Sequence, residues 1–152
     1  MISLNSLQIS KNWWIQFPYS LRLITKIRFY AAFGAGGGIY LTSLIFYDIG
    51  LSATDIGLGF TISAIIGTVT RFFTGNYLNK VGKIQFPLIA SSVISIAASL
   101  FLIFSKDTFF YIIGQSLIGA SAGIYWPAAE FGVPYFCQFV DTRKAYALVR
   151  TS

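Results

Sequence analysis

Four long apolar runs, separated by short polar breaks, set the pattern of this chain. The first uncharged run covers residues 29–47, about 19 residues. At ~1.5 Å per helical residue it reaches close to the ~30 Å of a bilayer's hydrocarbon core. The same pattern predicts helices over about 56–78, 84–105 and 108–130, with a fifth beginning near residue 145. In the first break, Ser52-Ala53-Thr54-Asp55 reads as a capping box with an acid in the first turn of the next helix. The second break, Gly75 to Lys83, is the one place in the middle of the chain where polar and basic residues cluster. Gly82 there supplies the backbone freedom of a tight inter-helix turn. Lys106 and Asp107 form the third break. The predicted fold class is all-α: an integral membrane helical bundle of four transmembrane helices and the start of a fifth. Residues 1–28 are expected as a cytoplasmic tail with interfacial aromatics (Trp13, Trp14, Phe17, Tyr19), and residues 29–152 as the transmembrane domain.

Within the runs, small residues recur at every fourth position, which places them on one helix face. Gly34 and Gly38 continue to Thr42, and Gly59, Ser63 and Gly67 continue through Arg71 to Gly75. Gly119 and Gly123 repeat the spacing, with Gly114 a turn earlier. Such stripes let two backbones approach closely, so they are expected as helix-packing seams. Gly34 to Gly38 is not a phosphate-cradling loop: no Lys-Ser/Thr follows, and its flanks are apolar. Ser91, Ser95 and Ser99 also share a face, where hydroxyls bond backbone and neighbours.

A few polar groups interrupt these runs and are candidates for gating or polar contacts. Arg71 breaks the second seam about one turn before the basic loop, where it snorkels outward, pairs locally or contacts solute. Gln115 is the most polar side chain in the apolar part of the fourth run. Pro127 is expected to kink that run, because it lacks an N–H and clashes with the preceding turn. Glu130 follows one turn later, with Arg71 and Arg143 as candidate partners.

Composition agrees with a membrane location. The chain is 55% hydrophobic and 11% charged, against about 25% charged in a soluble domain. Its net charge of +6 is spread over the breaks rather than gathered in a patch, which argues against a nucleic-acid partner. Threading four spans puts Lys11, Arg22, Lys26, Arg28, Lys80, Lys83, Arg143, Lys144 and Arg150 on one side. Lys106 lies on the other, with Asp48, Asp55 and Asp107. The positive-inside rule then makes both termini cytoplasmic, in a multi-pass protein of the cell membrane. With no His and a single cysteine, Cys137, neither a metal site nor a nucleophile–base pair is expected. The chain is not expected to be an enzyme or to need a cofactor.

The central loop carries a more specific signal. Gly75-Asn76-Tyr77-Leu78-Asn79-Lys80-Val81-Gly82-Lys83 resembles the signature loop of the major facilitator superfamily of secondary transporters. That loop reads Gly-x-Leu-x-Asp-Arg-x-Gly-Arg between the second and third helices. Gly75, Lys80, Gly82 and Lys83 match, with Lys for Arg at both basic positions; Tyr77 replaces the usual Leu, and Asn79 the usual Asp. Tyr125-Trp126-Pro127-Ala128, followed by Asp141 to Leu148, is similar to the exit of the family's fourth helix and the loop beyond. The resemblance runs from about Phe29 to Ser152 and implies part of an N-terminal six-helix half. It also implies secondary transport of a small solute, with helices one and four lining the cavity. Family members have twelve helices, so the expectation is a truncated or split carrier, inactive alone, whose remaining helices come from a second polypeptide. Its partners would be the lipid bilayer and a small-molecule substrate. Two alternatives stand beside it. One is a four-helix membrane subunit or interaction protein without transport activity. The other is a small dimeric multidrug exporter, although residues 29–47 lack the membrane-embedded acid such exporters use.

Overall fold

A computed structural model describes residues 14–136 and 142–150. Every regular element among them is an α-helix: α1 (Tyr19–Asp48), α2 (Ala53–Val81), α3 (Gln85–Ile103), α4 (Thr108–Phe136) and α5 (Thr142–Arg150). Three of these, α1, α2 and α3, are long and apolar enough to cross a membrane. The fourth, α4, is as long as α2 at 29 residues. It carries Gln115, Glu130 and several Ser and Tyr residues.

Helix boundaries differ from the apolar runs in an instructive way. α1 begins at Tyr19, ten residues before the uncharged run, and takes in Arg22, Lys26 and Arg28. Charge excludes a segment from lipid but does not stop a helix, since Lys and Arg are good helix formers. Its 30 residues make a rod of ~45 Å, against the ~30 Å hydrocarbon core. α4 likewise continues through Pro127 and Pro134 to Phe136, beyond the expected end near Glu130. The fifth helix starts at Thr142 rather than near residue 145. Lys11, Trp13 and Asp141 lie outside the described residues.

Local chemistry explains where the helices start and stop. Ser52 caps α2, its hydroxyl oxygen accepting from the Asp55 N–H at 3.1 Å and donating to the Asp55 carboxylate at 2.7 Å. This satisfies one of the orphan donors at the helix start. Asp107 plays the same part for α4, accepting from the Phe110 N–H at 2.9 Å. α2 ends at Gly82, whose φ of 67° lies in the left-handed region and whose N–H returns to the Leu78 carbonyl at 2.8 Å. Thr61, Thr68, Thr74, Ser92, Ser99 and Ser116 each turn their hydroxyl onto a carbonyl four residues back. A hydroxyl satisfied in this way can face hydrocarbon without a stranded donor.

The chain divides into two compact units. In the first, whose described part is residues 14–35, 132–136 and 142–150, Phe17 and Leu21 are buried with Val133 and Ala145, and Trp14 packs against them. Thr25 and Arg28 are also buried in this unit, one and two turns after Leu21. The second unit, residues 36–131, holds a cluster of Phe46, Leu51, Ile56 and Tyr111, with Phe60, Leu102 and Ile112 against it. Many Phe, Ile and Leu side chains stay exposed, including Phe33, Phe72, Phe86 and Ile96. A soluble monomer rarely leaves so continuous an apolar surface, whereas lipid covers one at no cost.

Candidate functional site

The tightest association in the second unit is between α2 and α4, and it is made by glycine. A Cβ built on Gly67 would stand 3.0 Å from the Gly119 carbonyl oxygen. One built on Gly119 would run into the Ser63 backbone, and one on Gly123 into the Thr70 hydroxyl and the Gly67 carbonyl. Gly59 meets the Tyr111 ring in the same way. The two stripes thus face each other with backbone against backbone, which no residue with a side chain permits. The Thr70 hydroxyl donates to the Ile66 and Gly67 carbonyls at 2.9 and 3.1 Å and fills the edge of the seam.

At one end of this seam lies a buried polar pair. Tyr111 is fully buried, and its hydroxyl donates to the Ile56 carbonyl at 3.2 Å. Its ring centroid stands 4.6 Å from that of Phe46, which joins α1 to the same cluster. Gln115, 2% exposed, is one turn on, buried on the same face of α4. A second polar link ties α3 to α4: the Ser121 hydroxyl donates to the Ser91 carbonyl at 2.9 Å. Hydroxyls bonded across helices in this way hold a bundle together where water is absent. Gly114 packs against Leu102 of α3, at 2.6 Å from its nearest methyl carbon to a Cβ built there.

The basic loop follows the seam. Lys80 in the last turn of α2 sits at the negative end of the helix dipole, and Asn79, Lys80 and Lys83 are all exposed around the Gly82 turn. Tyr77 places its ring 6.0 Å from Phe86 of α3, bracing the turn from one side.

Gly34, Gly38 and Gly75 have nothing within 4 Å of a built Cβ among the described residues, so these three meet no helix there. Equal spacing qualifies a face for close approach but does not supply the partner. The Arg71 side chain is exposed, while its backbone N–H group lies beside Gly123 at the seam. Glu130 and Arg143 are exposed as well, and Pro127 is half-buried within an unbroken run of α4. Of the three serines sharing a face of α3, Ser91 is buried and Ser95 and Ser99 are exposed.

Sequence reasoning passed over Tyr111, Ser121 and Thr70. Tyr111 lies four residues before Gln115, hence on its face, and that spacing was the available signal. Ser121 carries no such mark among the other hydroxyls. Three or more potential metal ligands are nowhere gathered among the described residues. No family model, curated protein or solved structure matches the chain.

Proposed function

We propose that the chain forms helices of a secondary carrier of the major facilitator type, moving a small solute across the cell membrane. The observation that carries this reading is the turn between α2 and α3. Two helices long and apolar enough to cross a membrane are joined there by three residues, with Gly82 in the left-handed conformation and Lys80 and Lys83 on either side. These are the positions at which the sequence resembles the family's signature loop, and the left-handed φ gives Gly82 a physical reason to be glycine. In this reading α4 is the fourth span, both termini are cytoplasmic, and the buried Tyr111–Gln115 pair lies between helices of one carrier half. Such a carrier has two six-helix halves with its substrate between them, so the helices described supply part of one half. The glycine stripe of α1 is left for helices of the remainder, contributed in cis or by a second polypeptide.

Alternating access supplies the test. A carrier changes the exposure of its cytoplasmic loops when substrate binds, because the solute shifts the balance between inward-open and outward-open states. A chain with Cys137→Ser and Asn79→Cys, in its native membrane, is labelled with a maleimide in the presence of sugars, peptides, cationic drugs or organic anions. At least one class is expected to change the labelling rate of Asn79→Cys. An unchanged rate with every class would reject the carrier and favour a membrane subunit without transport activity.

A further inference from the structure

The first unit carries positive charge that the seam and the transport reading do not use. Leu21, Thr25 and Arg28 make the buried stripe of α1 there. Arg22 and Lys26, four residues apart, stand side by side on the neighbouring stripe, among the exposed Tyr19, Leu23 and Ile27. Leu21 and Ala145 belong to one buried cluster, which fastens α5 to this part of the unit. Next to Ala145, Arg143 and Lys144 are exposed, and so is Tyr146. No acid occurs among the described residues of this unit; Asp141, within its range, lies outside them.

This arrangement is costly by itself. Like charges one turn apart on a helix repel, and Arg22 and Lys26 have no carboxylate on their own helix before Asp48. The Nε of Arg22 is buried and makes no hydrogen bond among the described residues, so this part of the guanidinium is held inside the unit. The length of α1 fixes the depth of the group. About 30 Å of the ~45 Å rod suffices for the hydrocarbon core, and the uncharged residues 29–47 fill it. Residues 19–28 then extend through the headgroup layer. Tyr19, Leu23, Ile27 and Tyr146 suit that layer, with apolar bodies toward the acyl chains and Tyr hydroxyls toward water.

We propose that the N-terminal part of α1 and the helix α5 form a binding surface for anionic phospholipid headgroups, with Arg22, Lys26 and Lys144 as the contacting cations. Charge complementarity names the occupant. On the side where the positive-inside rule places these residues, the leaflet is anionic, and each basic side chain near its surface favours association roughly fivefold. This surface needs the proposed membrane orientation but not transport, so a non-transporting subunit would possess it equally.

Tryptophan fluorescence provides the test. Trp14 packs against the Phe17–Leu21–Val133–Ala145 cluster and reports on the lipid beside it. The full chain with Trp13→Phe and Trp126→Phe, which leaves Trp14 as the single tryptophan, is reconstituted into phosphatidylcholine vesicles containing a minor fraction of bromine-labelled phosphatidylglycerol or, separately, bromine-labelled phosphatidylcholine. Labelled phosphatidylglycerol is expected to quench several-fold more effectively at low salt, and the preference is expected to vanish at high salt. Equal quenching by the two lipids at low salt would overturn the proposal. Arg22→Gln, Lys26→Gln and Lys144→Gln together are expected to abolish the preference, whereas Arg22→Lys, Lys26→Arg and Lys144→Arg should retain it. A neutralised chain that keeps the preference also overturns it. If the neutralised chain fails to insert, the salt response of the unaltered residues decides. Inorganic phosphate, compared with chloride at matched ionic strength, separates the two sources of phosphate. Selective loss of the preference in phosphate would assign the cations to a free anion and reject the lipid surface.

Discussion

A single methyl group separates two kinds of glycine in this protein. At Gly119 it would collide with the Ser63 backbone, which cannot swing aside as a side chain can. Gly119→Ala is therefore expected to destabilise the chain by about 1–3 kcal/mol, the usual cost of overpacking. At Gly34 the same methyl meets nothing among the described residues, and replacing a helical glycine then stabilises by about 0.5–1 kcal/mol. Unfolding of the detergent-solubilised chain, followed by helical circular dichroism, measures both. Two shifts of the same sign would contradict the seam. Both glycines belong to equally clear four-residue stripes, so the difference between them was not legible in the sequence. Spacing reports which face is smooth, while contact depends on what another helix brings to it. Gln115 stood out as a lone amide in an apolar run, yet its neighbour Tyr111 was hidden among nine tyrosines.

At the scale of elements, the turn after α2 depends on one backbone angle. A residue with a Cβ pays about 1–2 kcal/mol to hold the φ of 67° found at Gly82. Gly82→Ala is expected to loosen the turn, and Gly82→Asn less so, since Asn tolerates this region better. Tryptic cleavage after Lys80 and Lys83 in the membrane-embedded chain should accelerate in that order, because proteolysis follows local opening. Equal rates for all three chains would remove the conformational reason for glycine. The existence of the helices and the Ser52 cap of α2 could be read directly, because apolar length and capping chemistry are local. Their ends could not. An apolar run measures how much chain lipid accepts, whereas α1 goes on as a helix for ten residues into charge, and α4 passes two prolines. A proline costs one hydrogen bond within a long helix, and the remaining bonds still carry the rod across it.

For the molecule as a whole, the distribution of lysine and arginine makes a geometrical claim. Lys80 lies in the last turn of α2, Lys83 in the turn that follows it and Lys106 in the turn after α3, so a spanning α3 separates the first two from the third by the bilayer. With Cys137→Ser as background, Asn79→Cys is expected to resist a membrane-impermeant maleimide in intact cells and to react once the membrane is opened. Lys106→Cys should react from outside. The reverse pattern would invert the orientation, and labelling of both from outside would mean that α3 does not span. Charge placement gives this expectation from the sequence alone, because the membrane sorts cations by side irrespective of how helices pair. Helix pairing is a property of the folded structure. α2 meets α4 across an intervening helix, and nothing in the order of the chain selects that pair over neighbours.

That same pairing also has a schedule. Gly67 and Gly119 are about fifty residues apart, and ribosomes add roughly 5–20 residues per second, so one stripe waits some 3–10 s for the other. Throughout that interval the bare backbone of α2 faces lipid and any passing helix with a smooth side. Whether the chain matures correctly is then a race between its own fourth helix and strangers, and slowing synthesis after α3 would favour the strangers.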